Sequence, residues 1–379
     1  MKKKHALITG GAGFVGSHLT DRLIDRGFEV TILDNLLPQV HQEDTVDANG
    51  WPTFLHKKAH KIKGDLLSAG VFKNALQGVT HLVHLGASVG VGQSMANIVD
   101  YTKNNVMSAA VILETLSREK HSVEKIVVAS SMSIYGEGEY FSKRKNCTVS
   151  PPPREISQLK EKRWELYEQG EELNPIPTTE NKPLQPASIY AINKRDHEEM
   201  FLIVGKSLDI PTVALRLFNI YGSRQALSNP YTGVAAIFIS RLINDLPPLV
   251  FEDGKQMRDF VHVSDITQAF ANVLESDTKI WDAFNVGSGN PIRIIEIAKQ
   301  LAESLGKRIE PQILNSYRVG DIRHCFANID KIQKEFNYKP KVPFKDGILE
   351  LIEWVKSRPK PIVKTEESLS QLEKNKLII

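Results

Sequence analysis

A chain of 379 residues and 42.5 kDa, 41% hydrophobic and 25% charged, carries enough apolar content for a large core and two subdomains of a soluble globule. Its 48 basic and 45 acidic residues leave a net charge of +3, too little for the basic field that nucleic acids recruit. The two cysteines, Cys147 and Cys325, stand far apart and argue against a disulfide framework or a cysteine-rich zinc cluster; with no signal-peptide apolar core and no apolar run of membrane-spanning length, the chain is expected in the cytoplasm, with neither nucleic acid nor membrane as partner.

His5 to Thr9 reads as a short strand that runs into Gly10-Gly11-Ala12-Gly13-Phe14-Val15-Gly16 and then an apolar-periodic helix. Strand, glycine turn and helix in that order form a dinucleotide site: the glycines admit a diphosphate to the backbone and the helix N-terminus supplies amide donors. The next strand, from Glu29, ends in Asp34-Asn35, where a carboxylate accepts from the adenosine ribose hydroxyls and repels a 2'-phosphate, which favours NAD over NADP. Leu36 to Ile62 is polar and irregular; His41, His56 and His60 lack metal-ligand spacing and are expected in solvent. Asp65-adjacent Leu66 closes a short strand, with Asp65 either an acceptor for adenine or a turn residue. Thr80 to Ser88 is a buried strand whose end, Leu85-Gly86-Ala87, faces the cofactor and opens into a glycine-rich stretch containing Gln93. Tyr101 to Glu119, which contains Asn105, has helical apolar spacing, and Lys125 to Gly136 is a strand that places Ser130 and Ser131 at its C-terminal end, where open α/β sheets keep their active sites.

Residues 141–183 break this alternation with prolines and charges and are expected to be a loop insertion, Glu165 and Glu168 lying on a solvated helix face. Pro186 to Met200 sets Tyr190 and Lys194 one helical turn apart, so that an ammonium can stabilise a phenolate; alone the pair is a weak signal. Pro211 to Gly222 is a strand feeding a loop with Phe218 and Asn219. From Arg224 the rhythm changes to that of a smaller lobe containing Phe251 and Arg258, the latter a diphosphate clamp or a surface partner of Asp259. Ala283 to Gly287 is a returning strand, Ile292 to Leu305 a helix, and Tyr317 to Cys325 a charged strip with Arg318 and Asp321. The expected division is a dinucleotide-binding unit over 1–223, rejoined by 259–288 and interrupted by 141–183, a second lobe over 224–258 and 289–356, and a frayed charged tail over 357–379.

Together these motifs resemble an extended short-chain dehydrogenase/reductase of the nucleotide-sugar epimerase and dehydratase family, from His5 to Trp354. Thr9 to Gly16, Ser130-Ser131 with Tyr135-Gly136, Tyr190-x-x-x-Lys194, Leu217-Phe218-Asn219-x-Tyr221-Gly222 and Arg258 to His262 occur in the family's order. The resemblance implies a doubly wound parallel Rossmann sheet of about seven strands with a smaller C-terminal substrate lobe, and a homodimer built on the Tyr101–Glu119 and Tyr190 helices. It implies bound NAD, held by Gly10, Gly13, Phe14, Val15, Gly16, Asp34, Asn35, Asp65, Leu66, Leu85, Gly86, Ala87, Asn105, Ser130, Tyr190, Lys194 and Phe218, and no metal. It implies catalysis by Ser131, Tyr190 and Lys194, the phenol taking the C4 hydroxyl proton of a sugar, and substrate contacts from Gln93, Ser131, Asn219, Phe251, Arg258, Arg318 and Asp321. Family dehydratases carry an acid just after the catalytic hydroxyl; Met132-Ser133 offers none, so epimerisation is expected over dehydration or reduction, with a non-catalytic NAD-binding scaffold as the remaining alternative. The wording around Gly90 to Met95 and Gly320 to Cys325 is similar to the dTDP-L-rhamnose 4-epimerase branch, which implies a dTDP- or UDP-hexose. Cys325 aligns with a gate residue and either widens the sugar pocket or packs as a core thiol.

Overall fold

The computed structural model describes residues 4–41, 46–226, 233–363, 365–375 and 377–378. Its centre is a seven-stranded parallel sheet of β1 (His5–Thr9), β2 (Glu29–Asp34), β3 (His60–Lys63), β4 (His81–His84), β5 (Lys125–Ser131), β6 (Thr212–Leu217) and β7 (Trp281–Val286). Their spatial order is β3-β2-β1-β4-β5-β6-β7. The order reverses between β1 and β4, which pair from Ala6 with His81 to Thr9 with His84; the crevice at such a switch point is where open α/β sheets bind ligands.

Strand periodicity explains the two layers of helices. Ala6 and Ile8, with Val127, Ala129, Val213 and Leu215, enter one core, shared with α1 (Phe14–Asp25) and Ile266 to Leu274 of a later helix. Leu7, Ile126, Val128 and Ala214, one residue out of phase, enter the other, against α2 (Ser108–Arg118) and Phe201 of α3 (Ile189–Ser207). Both faces are therefore dry, as a parallel sheet requires. A third core joins α4 (Val234–Ile243), α6 (Ile294–Ser304) and α7 (Phe344–Lys356), with α5 (Val263–Glu275) returning to the first. Ahead of α2, Lys103–Met107 forms a π-helical turn that contains Asn105; such bulges gather at functional sites.

Two expectations fail. The 141–183 insertion carries structure of its own: strands Glu139–Ser142, Cys147–Val149 and Asn174–Ile176 form a small antiparallel sheet, with a short helix at Ile156–Lys160 and a hairpin at Tyr167–Glu168 and Glu171–Glu172. Glu165 sits on no helix face; it hydrogen-bonds Arg323 and His324, so charge pairing across the fold, invisible to local pattern, decides its place. Nor is the tail frayed. Thr365–Lys374 forms α8, Arg241 pairs with Glu366 at 2.6 Å, and the Val319 amide donates to the Leu377 carbonyl at 2.9 Å.

Candidate active site

A cavity of ≈ 1690 Å³ opens at the switch point between β1 and β4. Single-ligand pockets reach about 1,000 Å³, so the space exceeds what one ligand needs. Its floor is the glycine turn. Gly10 has φ +70°, and a Cβ there would stand 2.7 Å from the Gly86 amide nitrogen, so β1 and β4 close on each other only without a side chain. A Cβ on Gly16 would meet the Gly10 carbonyl at 2.5 Å, which seats α1 directly on the turn. No side chain caps α1 at Gly13, and Phe14, Val15 and Gly16 line the cavity, leaving that positive end for an anion.

Asp34 ends β2 on the cavity wall, its carboxylate accepting from the Ala12 amide at 3.1 Å and the Leu36 amide at 2.9 Å. His41 stands 3.4 Å from it with a buried side chain, which corrects the expectation of a solvated histidine. Asn35, Asp65, Leu66, Leu85, Gly86, Ala87, Gln93, Phe218 and Asn219 also line the cavity. Asp65 closes its own turn on the Leu67 amide at 2.9 Å while facing the space. The buried Oδ1 of Asn219 has no hydrogen-bond partner among the described residues, as expected of an atom that meets a ligand. A diphosphate-sized cradle without Cβ atoms, a helix N-terminus and a carboxylate at the end of the second strand fit a dinucleotide of the NAD type.

The reactive groups come from β5 and α3. Ser188 caps α3 by accepting from the Ala191 amide at 3.1 Å, and Ser94 accepts from the Tyr190 amide at 3.1 Å, which fixes the first turn. Tyr190 and Ser131 both face the cavity, and the Ser131 hydroxyl acts on the Tyr190 phenol. Burial raises the Tyr190 phenol above its ordinary value, and Ser131 works the other way. Ser133 donates to the Ser131 Oγ through its hydroxyl at 2.9 Å and its amide at 3.2 Å. Lys194 lies behind the wall, almost wholly buried, its Nζ donating to the Ala129 carbonyl at 2.7 Å; burial pushes its pKa down to about 8.

Several residues expected at the site lie away from the cavity wall. Ser130 donates to Glu198 at 2.7 Å, and Glu198 in turn holds Arg216 at 2.6 Å, so Ser130 belongs to the interior network behind β5. Asn105 clamps Ser88 through the Ser88 amide and carbonyl rather than lining the space. Arg258 gives its guanidinium to the carbonyls of Met257, Ile322 and Arg323, and Asp259 accepts from Ser288, Gly289 and Ala327; the two form no surface pair. Arg318 pairs with Asp321 at 2.8 Å and stacks 4.6 Å over Phe251. Cys325 is buried beside Thr178, off the cavity, with its thiol pushed up to about 12 by burial, so it packs and does not widen the wall.

The sequence reading also missed wall residues. Phe54 meets Trp354 edge to face at 5.8 Å, Arg224 lies 5.4 Å over Phe54, and Arg358 and Lys360 reach the cavity from beyond α7. No local motif marks them, because they come from the irregular 36–62 stretch, the lobe boundary and the tail.

The sequence model of the NAD dependent epimerase/dehydratase family matches residues 6–157 and 165–287. The chain is 31% identical over 355 residues to a dTDP-L-rhamnose 4-epimerase of Burkholderia thailandensis, covering 93% of this chain and 95% of that one. A solved UDP-N-acetylglucosamine 4-epimerase from Methanobrevibacter ruminantium, in complex with UDP-N-acetylmuramic acid, superposes with a TM-score of 0.74 at 28% identity, covering 94% of this chain and 99% of that one. A Thermus thermophilus UDP-glucose 4-epimerase in complex with NAD gives 0.71 at 28%, covering 93% and 99%.

Proposed function

The chain belongs to the NAD dependent epimerase/dehydratase family, and we propose that it is a nucleotide-sugar 4-epimerase acting on a dTDP- or UDP-hexose, dTDP-L-rhamnose foremost. The observation that carries this reading is the Tyr190 phenol, which shares with Ser131 the wall of a cavity that also takes in the glycine turn and Asp34. Gly10, Gly13 and the first turn of α1 would hold the NAD diphosphate, Asp34 the adenosine ribose, and Lys194 the nicotinamide ribose. When bound, NAD takes up and returns a hydrogen with its electron pair at the sugar C4. Tyr190 accepts the C4 hydroxyl proton and later gives it back, while Ser131 steadies the reacting oxygen. Within the protein alone burial holds the phenol high, so its acidification falls to the Lys194 ammonium, which is still largely protonated at neutral pH.

Between the two proton transfers the 4-keto sugar turns about its diphosphate linkage and presents its other face. Asn219 Oδ1, unpartnered among the described residues, is a substrate acceptor in this reading. Met132 and Ser133, which also line the cavity, carry no acid to expel a C6 hydroxyl, which favours epimerisation over dehydration. The exposed apolar side chains of Ile98, Val99 and Met107 ahead of α2, and of Ile192 and Ile203 on the neighbouring α3, support a homodimer through these two helices, testable by light scattering. Among the described residues no helix is long and apolar enough to cross a membrane. Incubation with a dTDP- and UDP-sugar panel without added cofactor, followed by NMR and mass spectrometry, tests the reading: an epimer of unchanged mass supports it, and loss of water or no conversion with every sugar contradicts it.

A further inference from the structure

Two arginines expected to contact the substrate are already engaged within the protein. Arg258 is bound to three backbone carbonyls and Arg318 is paired with Asp321, and neither lines the cavity. Among the described residues the lysines and arginines that do line it are Arg224, Arg358 and Lys360. Arg224 already pairs with Asp21 of α1 at 2.7 Å. Arg358 stacks 4.0 Å over Trp354, and its buried Nε has no hydrogen-bond partner among the described residues. Lys360 is exposed, lines the cavity and acts electrostatically on Asp245 without a salt bridge among the described residues.

The segment that carries them is built to stay in place. Pro359 and Pro361 cannot continue α7, the chain bends at Arg358 and Pro359, and residues 358–362 line the cavity. Asn244 at the end of α4 donates to the Pro361 carbonyl at 3.0 Å, and the buried Arg241 binds Glu366 at 2.6 Å just beyond. Farther on, the Val319 amide donates to the Leu377 carbonyl at 2.9 Å, tying the tail to the strip that bears Arg318 and Asp321. A diphosphate taken from water into a partly closed space needs counter-charge and donors there. The helix end at Gly13 provides one such place, and the cavity is also lined by a guanidinium and an ammonium, Arg358 and Lys360, that form no salt bridge among the described residues.

We propose that residues 358–362 are a diphosphate-binding strap, with Arg358 and Lys360 as its cationic ligands. This rests on the reading of the cavity as a site for NAD and a nucleotide sugar, both of which carry a diphosphate. Arg358 gives the fork-shaped, directional contact and Lys360 a mobile point charge. The strap makes the C-terminal segment part of the ligand site, and through α8 it links ligand occupancy to the 317–325 strip.

The test uses the full chain, freed of co-purifying nucleotide, as the parent, the double variant Arg358→Ala/Lys360→Ala, and the charge-preserving Arg358→Lys/Lys360→Arg. Isothermal titration is run with NADH and, separately, with UDP and dTDP. Loss of two charge-assisted contacts is expected to raise the Kd of one ligand class at least about tenfold in the alanine variant. The charge-preserving variant recovers most of that affinity, and the melting temperature stays with the parent. A rise confined to NADH supports the strap and assigns it to the cofactor diphosphate; a rise confined to UDP and dTDP supports it and assigns it to the substrate. Unchanged affinity for all three in the alanine variant, with the parent binding normally, overturns the strap alone. A parent that binds none of them overturns the underlying reading and the strap with it.

Discussion

Lys194 Nζ donates to the carbonyl of Ala129 at 2.7 Å, anchoring the ammonium of α3 to β5 next to the Ser130-Ser131 pair. The contact holds the charge where the reaction needs it, but burial pushes its pKa from 10.5 down to about 8. That shift corresponds to roughly 3 kcal/mol of unfavourable buried charge at neutral pH. The native pKa lies below the unfolded one, so the penalty is fully present below about pH 8 and fades as pH rises toward 10.5, where the native state has already shed its proton. Lys194→Met is therefore expected to be more stable than the parent by about 1 to 3 kcal/mol at pH 7, with the gap narrowing at pH 10, and to be inactive. Urea unfolding at the two pH values, beside a turnover assay, checks this.

His84 on β4 and His197 on α3 face each other Nε2 to Nε2 at 3.0 Å, fully enclosed, with Thr9 Oγ1 on the far nitrogen of His84 at 2.6 Å. Burial drives His84 down to about 3 and His197 well below its ordinary value, with the nearby Lys194 charge adding to both. Both stay neutral in the native state while the unfolded chain takes up protons below about 6.5. The stability they contribute is thus intact at pH 7 and is lost as pH falls toward 3. His197→Gln keeps a hydrogen-bonding group beside His84 and removes one titration. Between pH 7 and pH 5 the variant should lose about 2 kcal/mol less unfolding free energy than the parent.

The carboxylates of Glu165, Glu252 and Asp253 all reach the fully buried Arg323, and Glu137 accepts from its backbone amide. Although burial alone would raise it, hydrogen bonds from His324 and Arg323 hold the Glu165 carboxyl down to about 2. Glu165 belongs to the 141–183 insertion and Glu252 to the second lobe, so one guanidinium joins the two. Replacing it with Met strands those carboxylates, at a cost of about 3 to 5 kcal/mol. Limited proteolysis of Arg323→Met should cut within 141–183 first, while the parent resists there.

Asp34, braced by the Ala12 and Leu36 amides, has no room to turn away from a 2'-phosphate. NADPH is expected to bind at least about a hundredfold more weakly than NADH, and Asp34→Ser should narrow that gap by weakening NADH and admitting NADPH. Titrations of both dinucleotides against the two proteins check the direction.

The parts legible in the sequence were those that depend on short-range pattern. Alternation of Ala6, Leu7 and Ile8 between two cores, the glycine turn, Asp34 at a strand end and the Tyr190–Lys194 turn all follow from periods of two and of about four residues. What eluded it is set by partners far along the chain. Glu165 looks solvated until Arg323 arrives, Ser130 looks like a cofactor contact until Glu198 claims it, and the tail looks frayed until Arg241 and Val319 bind it. Arg258 shows the same limit: residue type proposes a clamp, but the carbonyls of Ile322 and Arg323 compete for its donors.

The most direct measurement follows a deuterium label at C4 of the converted nucleotide sugar, with enzyme and no added cofactor, in ordinary water, and Tyr190→Phe as control. The account predicts a C4 epimer of unchanged mass that keeps its deuterium at C4, and no conversion by the variant. Deuterium lost to solvent, a product lighter by one water, or full activity in Tyr190→Phe would contradict it.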